Sequence, residues 1–192
     1  MKLLTKEKIS KIGNQRWPNS PKKLCHKYGE QFSVDPNMLL SIFAIETFYR
    51  PFYFRLVEYF LVIVGCFGCL LFKKPVKNFT IGKCQLGLTT ILNYYGSDYY
   101  PHSRYICIKS FAEIFKLLSV ISTDKCIKVL AYKLQLITNK ARNIYPITNS
   151  NYFRYIGEQF NGRYSYGMLF LDVCNQLYKK CSSKVIDDAT HL

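Results

Sequence analysis

Residues Tyr59 to Phe72 read YFLVIVGCFGCLLF, about fourteen positions without a charge. A run like this has to be hidden from water, in a core or in lipid. It is shorter than the roughly 20 apolar residues that a spanning helix needs. Extending it backward meets Glu58 and Arg55, and extending it forward meets Lys73 and Lys74. The expectation is therefore a buried central helix, with Gly65 and Gly68 marking close helix packing and the protein soluble without detergent. An acidic residue at Val64 would then unfold the domain, because an unpaired buried charge is costly. The alternative is a membrane anchor whose flanking lysines sit at headgroup level.

The other patterns are helical too, and strand signals are rare. Asp35 can cap a helix that has Pro36 at its first position, where a missing N–H costs nothing. Leu39, Ile42, Phe43, Glu46, Tyr49 and Arg50 then recur at three- and four-residue spacing, and Pro51 disfavours helical geometry at Arg50. Ser110 and Glu113 form a capping box at the head of SFAEIFKLLSVI. Asp124 can cap a helix with Ile127, Leu130, Leu134 and Ile137 on one face. Asn149 or Ser150 starts another, with Phe153, Ile156 and Phe160 as its stripe. The last helix runs from about Tyr166 to Lys180, with Leu169, Phe170, Val173, Cys174 and Leu177 inward and Lys179 and Lys180 at its negative end. The fold class is all-α, a single domain of about seven helices over residues 25–181. A basic arm over 1–24 precedes it and a polar tail over 182–192 follows.

Composition narrows the partners. The chain has 192 residues, of which 49% are hydrophobic and 20% charged, so it is globular and not disordered. Lys and Arg number 27 against 12 Asp and Glu, for a net charge of +15. Such a surface is drawn to polyanions: nucleic acid, anionic lipid or an anionic cell wall. The N-terminal stretch MKLLTKEKISKIGNQRWPNSPKK lacks the sustained apolar core of a secretory signal. Eight cysteines stand at 25, 66, 69, 84, 107, 126, 174 and 181. Cys66 and Cys69 make one C-x-x-C, and no second close pair with flanking His accompanies it, so neither a zinc site nor a metal or other cofactor is expected. The cysteines read as small core residues, and their usage favours a reducing compartment.

In SIFAIETFYRPF, residues 41–52, one carboxylate stands on an apolar stripe. Glu46 shares a helix face with Leu39, Ile42 and Phe43, close to the helix C-terminus. Burial and the negative end of the helix dipole both raise a carboxylate pKa, and a Glu tuned toward neutrality can serve as a general acid. A plainer reading pairs Glu46 with Arg50 one turn later, as a helix-end ion pair. Two loops carry further candidates. NFTIGKCQLGLTTI, residues 78–91, places Gly82 and Gly87 around Cys84, Gln85 and Leu86. Glycines let backbone approach a ligand, and Gln offers donors and an acceptor. It also reads as a tight turn before a short helix at Leu88 to Tyr95. EQFNGRYSYG, residues 158–167, has the turn signal Asn161-Gly162 beside Arg163, Tyr164 and Tyr166. Tyrosine rings stack on apolar sugar faces, though the segment alone is also an ordinary turn.

Taken in order, these three segments resemble the lysozyme-like superfamily, in particular soluble lytic transglycosylases and goose-type lysozymes. SIFAIETFYRP resembles the catalytic helix of that family, IGKCQLG its G-x-M-Q segment with Cys84 in the Met position, and QFNGRYSYG its late Y-N-A-G segment. The resemblance spans roughly residues 30–180. It departs from the family at Tyr49, where a small residue is usual, at Phe160, where a Tyr is usual, and in the long apolar helix between Glu46 and Gln85. It implies a lysozyme-like helical domain that cleaves the MurNAc-GlcNAc β-1,4 bond of peptidoglycan. Glu46 is then the catalytic acid, and Gln85, Gly82, Gly87, Asn161, Gly162, Tyr164 and Tyr166 bind substrate. The partners it implies are peptidoglycan glycan strands, with an anionic wall or membrane surface nearby and the cell envelope as the site of action.

Hydrolytic glycosidases need a second carboxylate in the site. Glu58 and Asp98 are the candidates near Glu46 or in the loops, and neither has a strong claim. A single acid suits a lytic transglycosylase, in which Glu46 protonates the leaving oxygen and then takes the proton of the C6 hydroxyl that closes on the anomeric carbon. A lysozyme-type hydrolase is the alternative. Two non-enzymatic classes compete with both. One is a basic nucleic-acid-binding module, weakened by scattered lysines and the lack of a legible binding motif. The other is a membrane-associated protein anchored through Tyr59 to Phe72.

Overall fold

Asp35 starts a helix as its sequence suggests: its side-chain Oδ1 accepts the Asn37 N–H at 2.7 Å, and Pro36 opens the helix. The computed structural model describes residues 19–49, 52–99, 103–147 and 149–189. Among these the chain is all-α, with eight helices and only two-residue strands. The helices are α1 (Asn19–Phe32), α2 (Pro36–Tyr49), α3 (Phe52–Phe72), α4 (Leu88–Tyr94), α5 (Phe111–Ser119), α6 (Thr123–Arg142), α7 (Ser150–Asn161) and α8 (Tyr164–Ala189). The strands β1 (Val76–Lys77) and β4 (Tyr105–Ile106) pair antiparallel, as do β2 (Thr80–Ile81) and β3 (Leu86–Gly87). Two compact units form, Met1–Ile45 with Leu134–Leu192, and Glu46–Lys133.

The first unit is built on the periodicities read from sequence. Ile156 and Phe160 of α7 are buried as expected, while Tyr152 takes the buried place expected for the half-buried Phe153, and Leu169, Phe170, Val173, Cys174 and Leu177 of α8 are buried. Asn149 caps α7, accepting the Asn151 N–H at 2.8 Å, and Gly162 ends it in the left-handed conformation at φ 77°. α7 and α8 then meet through glycine: a methyl on Gly167 would lie 2.4 Å from the Arg154 carbonyl oxygen, and one on Gly157 would lie 2.7 Å from Phe170 Cβ. Asp35 also accepts the Tyr178 hydroxyl, and Cys174 Sγ donates to Ser41 Oγ at 3.3 Å. α8 runs to Ala189, through the position where a polar tail was expected to begin at Ser182. The basic arm expected over 1–24 is described only from Asn19, which already starts a helix.

The second unit corrects two expectations. Glu113 does not complete a capping box on Ser110; its carboxylate accepts the Lys109 N–H at 2.8 Å and the Tyr99 hydroxyl at 2.9 Å. The reason is burial, since Glu113 turns inward and finds the nearest donors there. The apolar run of Tyr59 to Phe72 is not a buried central helix. The helix begins earlier, at Phe52, and only 22% of its most apolar stretch is buried. Val64 is 53% exposed, so an acidic residue there adds no buried charge. Gly65 does pack closely, with Val76 Cγ1 at 3.2 Å from an added methyl, whereas Gly68 faces open space. The cause is that α3 turns its polar and small residues inward: Arg55, Val62, Cys66 and Cys69 are buried, and the large apolar residues lie on the opposite face.

Candidate active site

Glu46 lies near the C-terminal end of α2 and is 5% exposed. A helix end leaves carbonyl oxygens without intrahelical partners. Arg55 reaches from α3 to two of them, donating from Nη2 to the Glu46 and Thr47 carbonyls at 3.4 Å each. Its buried Nε, and the Thr47 hydroxyl beside this contact, have no hydrogen-bond partner. Arg50, the partner expected for Glu46, lies outside the described residues. A different cation acts on Glu46. Burial lowers the Lys133 ammonium to about 8, and the Glu46 charge opposes that fall. Glu46 and Lys133 thus act on each other inside the second unit.

Gln85 lies inside the second unit. It is 6% exposed, and it takes a left-handed φ of 50° in the turn between β2 and β3. Its Oε1 accepts the Thr80 hydroxyl at 2.7 Å, while its Nε2 donates to Glu58 Oε2 at 3.1 Å and to the Gly82 carbonyl at 3.2 Å. A side chain satisfied in this way holds the turn closed. Gly82 is needed by the turn itself, at φ 82°, with the Val120 carbonyl oxygen and Cys126 Sγ both 3.2 Å from an added methyl. Gly87 caps α4 in extended conformation and meets only ordinary contacts.

The turn is joined to α6 by sulfur. The Cys84 N–H donates to Cys126 Sγ at 3.3 Å, and Lys83 Nζ donates to Thr123 Oγ1 at 2.6 Å. Hydrogen bonding by Cys84 pulls the Cys126 thiol down against its burial. Tyr59, on the inward face of α3, faces the same turn: burial pushes its hydroxyl up to about 12, with Cys126 adding and Arg55 opposing. Arg55, Glu58 and Tyr59 thus connect the end of α2 to the Gly82–Gln85 turn along one side of α3.

The second loop belongs to the first unit. Asn161, Gly162 and Tyr164 are exposed there, and Tyr164 accepts a hydrogen bond from Arg154 Nη1 at 3.3 Å with the guanidinium 5.3 Å from its ring centroid. Tyr166 is 2% exposed and packs on Phe160 in the core, with ring centroids 5.9 Å apart. The second-carboxylate candidates separate: Glu58 is bound to Gln85, and Asp98 is exposed on the loop after α4. A cleft of about 500 Å³ beside β1 and β4, lined by Lys77, Asn78, Ser103, Arg104 and Tyr105, contains none of the expected residues.

Sequence reading missed Lys133, Arg55 and Tyr59. Lys133 had a usable signal, because it stands three residues after Leu130 and four before Ile137, on the apolar stripe of α6. That is the same logic that singled out Glu46. Arg55, Glu58 and Tyr59 likewise fall on one face of α3 together with Val62, Cys66 and Cys69. No family model, curated protein or solved structure matches the chain.

Proposed function

We propose that the protein is a lytic transglycosylase that cleaves the MurNAc-GlcNAc β-1,4 bond of peptidoglycan, with Glu46 as its single general acid and base. The observation that supports this reading best is Glu46 itself, a carboxyl group 5% exposed near the end of an apolar helix. In the first step Glu46 protonates the leaving glycosidic oxygen. The carboxylate formed faces the Lys133 ammonium, which stabilises the charge left by proton transfer. Glu46 then recovers a proton from the C6 hydroxyl as that oxygen closes on the anomeric carbon. No water has to be activated, so the engagement of Glu58 with Gln85 is no obstacle. The net charge of +15 suits an anionic wall.

Product mass tests the reading. Digested sacculi should release 1,6-anhydro-muropeptides, which lack the added water of a hydrolysis product. Hydrated, reducible muramic ends would make the protein a lysozyme-type hydrolase. In an inverting hydrolase the base stands about 6.5–9.5 Å from the acid.

A second reading has its own observation. Glu46 is 5% exposed and Gln85 is spent inside the turn. On this reading the Glu46–Lys133 and Arg55 contacts close the end of α2 and perform no chemistry, and the protein is a non-enzymatic membrane-associated one. Intact sacculi after prolonged incubation with folded protein would favour it.

A further inference from the structure

α3 is built inside out. Arg55, Tyr59, Val62, Cys66 and Cys69 lie on the side that packs against the unit, where Arg55 and the three small residues Val62, Cys66 and Cys69 are buried. Tyr53, Val57, Phe60, Val64, Phe67 and Leu71 recur at the 3.6-residue period on the other side, and every one is exposed, Phe60 by 65% and Leu71 by 68%. The stripe does not stop at the helix edge. The Phe67 ring meets Phe111 of α5 with centroids 5.9 Å apart, and Phe111 and Phe115 of α5 are themselves exposed. An apolar surface of this extent needs a cover.

Charge identifies the cover. Lys73, Lys74 and Lys77 follow the helix and are exposed, as is Lys109 ahead of α5. A second copy of the chain would bring the same exposed lysines to this face, so like charges would oppose pairing. An anionic lipid surface supplies both the hydrocarbon for the stripe and the counter-charge for the lysines. The helix is long and apolar enough to cross a membrane by length and composition. Its neighbours argue against that orientation. Ile108 donates its N–H to Cys69 Sγ at 3.1 Å and Val76 covers Gly65, so crossing would carry the β1–β4 pair with Lys77 and Asn78 into hydrocarbon. We propose that the outward face of α3, continued by Phe111 and Phe115, lies in the surface of an anionic bilayer with the helix axis parallel to the membrane.

This proposal stands apart from glycan cleavage, and vesicles without glycans test it alone. The full-length protein is sedimented with phosphatidylcholine vesicles with and without phosphatidylglycerol, and its melting temperature is followed by circular dichroism. Wild type should bind only the anionic vesicles. Phe60→Asp with Val64→Asp should weaken binding by at least about tenfold with an unchanged melting temperature. Lys73→Ala with Lys74→Ala should weaken it by about fivefold per lysine removed. Four results would overturn the proposal. They are vesicle binding by the double Asp variant equal to wild type, unfolding of that variant, resistance of the bound protein to alkaline extraction, and a wild-type dimer that the Asp substitutions dissociate while neither form binds vesicles.

Discussion

Lys133 gives Glu46 a partner whose protonation can be followed. Its ammonium is lowered from 10.5 to about 8, chiefly by burial. Between these values the unfolded chain holds a proton that the folded chain has lost, so stability rises with pH across the window. The penalty, on the order of 3 kcal/mol, is present in full below about pH 8 and is relieved toward 10.5. Urea unfolding at pH 7 and pH 10 should show this rise in wild type and its disappearance in Lys133→Met; an equal rise in both proteins would remove Lys133 from the account. Gln85 gives a second residue-scale prediction. Gln85→Ala leaves Thr80 and Glu58 without the amide that joins them and should cost about 1–3 kcal/mol of stability, while chitin-oligosaccharide binding stays unchanged. Weaker binding at an unaltered melting temperature would return Gln85 to the sugar groove. The sequence showed Gln85 between two glycines but could not show where its amide pointed. That depends on Glu58, which stands 27 residues earlier, and on a left-handed backbone that glutamine rarely adopts.

At the scale of elements, two glycines in helices should respond to substitution with opposite sign. Gly167→Ala forces a methyl against the Arg154 carbonyl and should destabilise by about 1–3 kcal/mol. Gly68→Ala enters open space in the interior of α3 and should stabilise by about 0.5–1 kcal/mol. Thermal melts of the two variants check the contrast, and a gain at Gly167 would mean that α7 and α8 pack less closely than described. The helices themselves were readable from apolar spacing and caps: Asp35-Pro36, Asn149 and the stripes of α6 and α8 stand where the sequence puts them. The orientation of α3 was not. In a run that is apolar all round, periodicity does not say which side faces the protein, and the deciding residues, Arg55, Glu58 and Tyr59, lie before and at the edge of the run. Length was misread for the same reason, since Arg55 and Glu58 break the apolar count without breaking the helix.

On the scale of the whole molecule, the order Glu46, Gln85, Asn161-Gly162 suggested a lysozyme-like domain, and the described residues form an all-α architecture. The two compact units divide the three segments, Glu46 and Gln85 in one and Asn161-Gly162 in the other. Such a division of tertiary packing leaves no local mark in the sequence, because α2 and α6 each read as one continuous helix. The proposed activity depends on one carboxylate, Glu46. The most direct measurement compares wild type with Glu46→Gln on purified sacculi, with release of 1,6-anhydro-muropeptides followed by mass spectrometry and folding checked by circular dichroism. The prediction is anhydro products from wild type and nearly none from a Glu46→Gln protein that remains folded. Equal release by the two folded proteins would contradict it.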